Sequence, residues 1–342
     1  MNNILYKNGI AKVLSKNNFL ELKNKCILIT GANGLIGSAL IDVINFLNEV
    51  DNYNIKIIGS VRNKNNILER FNDYKNLKII EYDINNKLVL KEKIDYIINT
   101  ASNADPKNFA TNPVGTISSN VIGTKNLLDF CINNRVEKFL EISSGEIYGQ
   151  GDENILSFDE NYSGNIDSTN PRACYPIGKL AAENLCVCYT KQYNISTVIA
   201  RLCHTYGPTQ RSNDSRVSAA FIRNVLNGED ICMKSDGRQI RSYCYVLDAI
   251  TGILRILISG VKGEAYNVAN KNSIVSIREM AEAIAKNGNR KVIFELPSES
   301  EKSGYNQVTR SVLNGEKLEA IGWIPCYTFE EGIDETIKIL KK

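Results

Sequence analysis

Histidine is almost missing from this chain: His204 is the only one in 342 residues. Nine cysteines are present, at 26, 131, 174, 186, 188, 203, 232, 244 and 326, but no two are spaced CxxC. Without clustered imidazoles or paired thiolates, no Cys/His metal site is expected. The odd cysteine count argues for reduced thiols packed as small apolar groups, not for a disulfide framework. No stretch approaches the roughly 18 apolar residues of a membrane span. The opening Met1-Asn2-Asn3-Ile4-Leu5-Tyr6-Lys7 has no apolar core of a signal peptide. The expected location is therefore cytoplasmic. An excess of one charge is missing too: 41 basic residues face 38 acidic ones, a net charge of +3. That balance gives no electrostatic reason to expect nucleic acid or an anionic membrane as a partner. No internal repeat or low-complexity tract occurs.

The composition itself, 43% hydrophobic and 23% charged, is that of a globular protein. The length suggests about two domains, or one large one. Residues 1–24 read as a helical lead-in. Apolar runs then recur at 25–30, 55–60, 77–82, 94–99, 136–143 and 195–202. Helical patterns such as Val121–Asn133 and Gly178–Gln192 separate most of them. Short apolar strands alternating with helices predict a parallel sheet covered on both faces. After about residue 205 the alternation becomes irregular. Gly207-Pro208 and the polar run Thr209–Arg216 read as a loop, and helices fit 217–227, 277–286 and 329–341. The fold class expected is α/β, a doubly wound parallel sheet over 1–205 with a smaller mixed α/β domain over 206–342. Part of the second half, about 240–255, is expected to return to the first.

The first apolar strand runs into Gly31-Ala32-Asn33-Gly34-Leu35-Ile36-Gly37, and an amphipathic helix follows. Glycine permits a tight turn there and lets the backbone approach a pyrophosphate at the helix N-terminus. The flanking strand and helix favour dinucleotide binding over an ordinary strand-to-helix turn. The sheet is thus read as Rossmann-like. The second strand ends in Gly59-Ser60-Val61-Arg62-Asn63, without the acidic residue that binds the ribose 2′-hydroxyl of NAD. Arg62 meets a 2′-phosphate, stacks on adenine, or lies solvated, so NADP stays open beside NAD. Asp83-Ile84 follows the third strand, where an adenine contact or a strand-end cap fits.

Tyr175-Pro176-Ile177-Gly178-Lys179 is a YxxxK. On a helix these two side chains share a face, and a neighbouring ammonium favours the phenolate. Such a Tyr is a general base toward a sugar hydroxyl. Ser143-Ser144-Gly145-Glu146-Ile147-Tyr148-Gly149 follows the fifth strand, at the end of a parallel strand where ligands bind. Ser144 is a hydrogen-bond partner for the reacting hydroxyl or a turn cap. Glu146 is a second acid/base or a solvated carboxylate. His204 directly follows the sixth strand, which favours contact with a ligand.

Together these motifs resemble the extended short-chain dehydrogenase/reductase family of nucleotide-sugar enzymes, over nearly the whole chain. Within it, the resemblance is greatest to UDP-glucuronate decarboxylases. Asn170-Pro171-Arg172-Ala173-Cys174-Tyr175, Arg201–Pro208, Asp214–Phe221, Gly237–Asp248 and Gly322-Trp323 are similar to their motifs, and Arg310 stands thirteen residues before Trp323. The resemblance implies a redox-neutral reaction through transient oxidation at C4, with Tyr175 and Lys179 as base and helper. Ser144 would assist at the C4 hydroxyl. Glu146 and Arg310 would serve the later steps. Gly31, Asn33, Gly34, Leu35, Ile36, Gly37, Arg62, Asp83, Ile84, Thr100, Ala101, Ser102 and Lys179 would line the cofactor. Arg172, His204, Arg216 and Arg241 would join Ser144 on the nucleotide sugar. A cytoplasmic homodimer is implied, paired through the helix carrying Tyr175 and the one over about 117–133, in polysaccharide biosynthesis. Sugar 4,6-dehydratases, 4-epimerases and a non-catalytic cofactor-binding protein are the alternatives. Three departures stand out. His204 replaces a usual Asn, and Gly145 replaces the Asp of paired-acid dehydratases. The run Tyr305–Val312 differs from the pattern around the decarboxylases' Arg. The missing Asp argues against glucose-type dehydration.

Overall fold

The computed structural model describes residues 3–152, 154–295 and 309–341. Helix α1 (Ile4–Leu14) precedes β1 (Cys26–Thr30), and α2 (Leu35–Asp51) leads to β2 (Lys56–Val61). Strands β3 (Leu77–Glu81) and β4 (Tyr96–Asn99) follow, then α3 (Pro106–Thr111), α4 (Pro113–Asn134) and β5 (Lys138–Ser144). Helix α5 (Cys174–Tyr193) leads to β6 (Thr197–Leu202) and β7 (His204–Tyr206). Next come α6 (Val217–Leu226), β8 (Ile231–Met233), β9 (Ile240–Tyr245), α7 (Val246–Ser259) and β10 (Ala265–Val268). The chain continues through β11 (Ile274–Ser276), α8 (Ile277–Gly288), β12 (Val292–Phe294) and β13 (Arg310–Ser311). Helices over Glu316–Ala320 and Phe329–Leu340 close it.

Seven strands form one sheet in the order β10-β6-β5-β4-β1-β2-β3, and each neighbouring pair is parallel. The six anticipated strands are all in it. Side chains alternate across a strand, and in β1 both sets are apolar. Ile27 and Ile29 enter one buried cluster, while Cys26 and Leu28 enter the other. A sheet built of such strands has to be covered on both faces, and helices do so. The order reverses at β1: the chain runs outward through β2 and β3, then back past β1 to β4, β5 and β6. Such a switch point opens a crevice at the carboxyl ends of the strands. The glycine turn after β1 and Ser144 at the end of β5 both lie at that edge.

The seventh strand, β10 (AYNV), is too short to stand out in the sequence. It pairs with β6 after the long detour through α6, β9 and α7. Outside the main sheet, β9 is the hub of a mixed sheet, with β7 and β13 parallel to it and β11 antiparallel. Strands β8 and β12 form a separate parallel pair.

Asp248, in the first turn of α7, ties the C-terminal segment to the sheet. Its two carboxyl oxygens accept the backbone N–H groups of Cys326 and Tyr327 at 2.8 and 3.0 Å. The Trp323 indole N–H donates to the Asp248 carbonyl at 3.2 Å. The motif ending in Asp248 and the pair Gly322-Trp323 are therefore neighbours in space. Burial lifts the Asp248 carboxyl to about 7, against the pull of the two N–H groups. A raised pKa means the folded chain keeps a proton that the unfolded chain releases. The stabilisation is complete below about pH 4 and is lost as the pH rises through about 7. Asp248→Asn is expected to flatten the pH dependence of the melting temperature across that window. It is also expected to cost about 1–3 kcal/mol, because its amide NH2 opposes one backbone N–H. Thermal melts over a pH series read both effects; an unchanged slope would contradict this account.

Candidate active site

The turn after β1 is tight. Gly31 has φ +65°, and a Cβ on it would lie 3.0 Å from the Ala101 Cα. A Cβ on Gly37 would lie 2.5 Å from the Gly31 carbonyl oxygen. Gly34 is the N-cap of α2, and no side chain caps that helix. The N–H groups of Leu35, Ile36 and Gly37 thus begin a helix whose positive end suits an anion. The loop after β7 leans on the same turn. Thr209 Oγ1 donates to the Leu35 carbonyl at 3.0 Å, and Arg211 Nε to the Asn33 carbonyl at 3.4 Å. A glycine turn beneath a bare helix N-terminus fits a dinucleotide pyrophosphate.

Across the crevice, Thr100 and Ala101 are tied to β1, each backbone N–H reaching Thr30 Oγ1 at 3.1 Å. Ser102 Oγ donates to Asn120 Oδ1 on α4 at 2.9 Å. Arg62 ends exposed beyond β2. Asp83 Oδ1 accepts the backbone and side-chain nitrogens of Asn85, each at 3.0 Å, so it caps a strand-end turn. Ile84 is buried beneath Gly123, where a Cβ would meet its side chain at 2.6 Å.

Tyr175 and Lys179 occupy the first two turns of α5, facing the end of β5. Gly178 lets that helix approach α4, since a Cβ there would already lie 3.2 Å from Asn120. Ser144 lies close enough to the Tyr175 phenol to favour its ionised form, while its Oγ accepts the Glu146 backbone N–H at 3.2 Å. The Tyr175 ring stacks on Phe109 at 4.7 Å and 18°, and the Arg172 guanidinium lies 5.0 Å from the other partner of that stack, the Phe109 ring. The sequence predicts a phenol acidified by Lys179. In the structure burial outweighs that pull and raises the Tyr175 pKa, with Lys179, Ser144 and Arg216 acting downward and Glu146 upward.

Lys179 is turned into the protein. Its ammonium donates to Glu141 Oε1 at 3.0 Å and to the Ile142 carbonyl at 2.5 Å. Both side chains of that ion pair are essentially inaccessible, at 2% and 0%. Glu146 Oε2 instead meets Arg172 Nη1 at 3.2 Å, with both partly exposed.

Three further sequence candidates line the C-terminal wall. Arg241 is buried on β9, and its Nη1 donates to the Ile240 carbonyl at 2.9 Å. Burial lowers its pKa, while Tyr243 and Glu146 oppose that change. His204, on β7, is paired in register with Tyr243, and the two rings lie 5.4 Å apart. Its ring opens toward solvent but is crowded by protein. That crowding, then Arg241 and Arg216, lower its pKa to about 4, so the imidazole is neutral at pH 7. Arg216 clasps Asp214 through Nε at 3.0 and 3.1 Å and reaches the Thr205 carbonyl at 3.2 Å.

Ser144, Glu146, Arg172, Tyr175, Lys179, His204, Arg216 and Arg241 are thus linked into one neighbourhood by these contacts and charge interactions. Arg310 does not join them by any side-chain hydrogen bond among the described residues. Its Nε donates to the Leu156 carbonyl at 2.7 Å, and on β13 it pairs with Ile240, next to Arg241. Residues Tyr305–Val308, part of the run that departs from the decarboxylase pattern, lie outside the described residues. The sequence reading singled out neither Phe109 nor Glu141, and took Asp214 only as the first residue of a motif. Glu141 did leave a signal: it is a carboxylate inside the otherwise apolar strand segment Phe139–Ile142.

A family model described as the NAD dependent epimerase/dehydratase family matches residues 27–269. UDP-glucuronic acid decarboxylase 1 of Xenopus tropicalis is 32% identical over 329 residues, spanning 94% of this chain and 73% of that protein. UDP-glucuronic acid decarboxylase 3 of Arabidopsis thaliana is 34% identical over 316 residues, spanning 91% and 87%. Among solved structures, a UDP-glucose 4-epimerase of Thermotoga maritima superposes with a TM-score of 0.79 at 22% identity, covering 92% of this chain and 98% of that one. A dTDP-glucose 4,6-dehydratase of Bacillus anthracis, solved with NAD, gives 0.77 at 24% identity, covering 92% and 96%. Both share the fold described above.

Proposed function

The chain belongs to the NAD dependent epimerase/dehydratase family, and on that premise we propose that it decarboxylates UDP-glucuronate through transient oxidation at C4 of the sugar. The observation carrying this reading is the cluster of Ser144, Tyr175 and Lys179 at the end of β5, with Glu146 across from two arginines. The glycine turn and the start of α2 (Gly31, Asn33, Gly34, Leu35, Ile36, Gly37) hold the cofactor's pyrophosphate. Arg62, Asp83, Ile84, Thr100, Ala101 and Ser102 would complete the cofactor's binding site, with Lys179 reaching it only by turning from its bonds to Glu141 and the Ile142 carbonyl. Bound NAD supplies a hydride acceptor and donor at C4.

Tyr175 takes the C4 hydroxyl proton, and Ser144 orients that hydroxyl. Arg241 and Arg216 bind the diphosphate. Neutral His204 offers a hydrogen bond to the sugar or diphosphate without adding charge. Once C4 is a ketone, it lies β to the carboxylate and accepts the electrons left when carbon dioxide departs. Glu146, braced by Arg172, takes a proton from solvent and passes it to C5 of the enolate, which balances the loss of carbon dioxide; Arg310 is assigned to orient the carboxylate from the rim.

Gly145 favours this reaction over dehydration. A Cβ there would lie 2.9 and 3.1 Å from the two methyl groups of buried Leu313, so the position leaves little room for a second acid. The exposed apolar residues Val114 and Ile122 on α4, and Leu180 and Val187 on α5, support pairing of two copies through these helices.

Mass spectrometry of UDP-glucuronate, UDP-, CDP- and dTDP-hexoses and a GDP-hexose, each incubated with the enzyme and NAD or NADP, tests the reading. Loss of carbon dioxide from the uronate is expected. Loss of water from a hexose would replace decarboxylation by dehydration. An unchanged mass with an altered proton NMR spectrum would make the enzyme an epimerase. The NADP arm is included because Arg62, not a carboxylate, ends β2.

A further inference from the structure

The ends of three adjacent strands are joined by one buried run of side chains. Thr30 Oγ1 on β1 accepts the N–H groups of Thr100 and Ala101. Its own hydrogen therefore goes to Asn99 Oδ1 on β4, 2.7 Å away. That fixes the Asn99 amide with its NH2 toward β5, donating to Glu141 Oε2 at 2.6 Å. The Thr124 hydroxyl of α4 adds a second donor to the same oxygen at 3.2 Å. Glu141 Oε1 receives Lys179. The Lys179 ammonium and the Asn99 NH2 can only donate to this carboxylate, and the Thr124 hydroxyl donates as placed, so the arrangement favours the ionised form. Burial pushes the carboxyl's pKa up, and Lys179 with these donors opposes it.

We propose that Glu141 is the positioning residue of the catalytic base, anchoring the Lys179 ammonium and keeping it charged beside Tyr175. This rests on reading Tyr175 as the base. Lys179 sits where burial works against a positive charge. The groups facing it are few. From β5 there is Glu141, and on its own helix Tyr175 and Glu183. Glu183 is already clasped by Arg201 of β6, at 3.1 and 2.8 Å. Cys186 on α5 and Cys131 on α4 lie nearby, and burial raises both thiols, so they stay neutral. Glu141 is the largest influence holding the ammonium's proton on. Tyr175 in turn owes its largest downward pull to Lys179, and Glu141 hydrogen-bonds Lys179, Asn99 and Thr124 but not the phenol. Glu141 therefore acts on the phenol through Lys179. Its position is secured from the cofactor side of the sheet by Thr30 and Asn99.

The test is Glu141→Gln, which keeps shape and removes charge. Two readouts are taken on the full chain with its cofactor. One is the pH profile of kcat. The other is the ultraviolet titration of the Tyr175 phenolate, obtained by subtracting the matching Tyr175→Phe protein. Without its counter-charge Lys179 loses its proton more readily, and Tyr175 becomes harder to ionise. Both the acid limb and the titration are expected to move up by about one pH unit, a tenfold loss of phenolate at a fixed pH. A kcat lowered equally at every pH, with the titration in place, would make Glu141 merely structural and overturn the proposal. A downward move would also overturn it. If Glu141→Gln does not fold, Glu141→Leu, matched to the apolar strand, carries the same expectation. Failure of the unaltered enzyme on every nucleotide sugar would refute the functional reading, while the phenolate titration would still decide the role of Glu141.

Discussion

Tyr175→Phe is expected to lower kcat by about 10²- to 10⁴-fold, roughly 3–5 kcal/mol of transition-state stabilisation, without lowering the melting temperature. The substitution removes one oxygen. The ring keeps its stack on Phe109 and its place in a cluster with Cys174. What disappears is the oxygen that lies beside Ser144 and that, in the proposed reaction, takes the C4 proton. Burial raises the phenol's pKa in the site as it stands, with Lys179 the strongest opposing influence. The deprotonated form is the base, so the rate of the unaltered enzyme rises with pH until Tyr175 is ionised. The variant should lose that limb as well as its rate. Steady-state kinetics over pH, beside thermal melts, measure both. Turnover within tenfold of the unaltered enzyme, with the same limb, would remove Tyr175 from the chemistry.

The main sheet and the gathering of the site were legible because each leaves a local mark. A strand apolar on both faces, such as Cys26–Thr30, announces a covered parallel sheet. Gly31, Gly34 and Gly37 mark a turn that a Cβ would obstruct, and the spacing of Tyr175 and Lys179 marks one helical face. What stayed hidden depends on contacts between distant segments. Nothing near Phe109 says that it stacks on a tyrosine 66 positions later, the difference between 175 and 109. Nothing in Ala265–Val268 says that four residues close the sheet against β6. Arg310 is a further case: a position counted from Trp323 singled it out, but that spacing does not show that its Nε is held by the Leu156 carbonyl. The charge state of Tyr175 belongs here too. Motif spacing shows a lysine beside a tyrosine, but the burial that outweighs it is a property of the packed site. Glu141 lies between the two cases. A carboxylate within Phe139–Ile142 is visible in the sequence, but its partners come from β4, α4 and α5.

Glu146→Gln is the substitution that separates the steps of the proposed reaction. Oxidation at C4 draws on Tyr175, Ser144 and Lys179, none of which hydrogen-bonds the Glu146 side chain in the structure. Carbon dioxide loss leaves an enolate whose C5 must be protonated, and Glu146 is the acid assigned there. The Arg172 pair it forms is partly exposed, and pairs of that kind contribute about 0–1 kcal/mol, so the variant should fold. Product formation is expected to fall by about 10²-fold or more, with a 4-keto sugar accumulating in quenched single turnovers analysed by mass spectrometry. Run in deuterium oxide, the unaltered enzyme should place one solvent deuterium at C5. A Glu146→Gln enzyme that forms the C5-protonated product at the full rate would assign the proton to another donor, with Arg310 left only an orienting role. Equal loss of C4 oxidation and product would place Glu146 earlier, in binding the sugar. A dehydratase would behave differently again: Glu146 would remove the C5 proton, and water loss from a hexose would stop in the variant. The same substitution therefore distinguishes an acid that finishes decarboxylation from a base that begins elimination, with Gly145 and its close neighbour Leu313 favouring the acid.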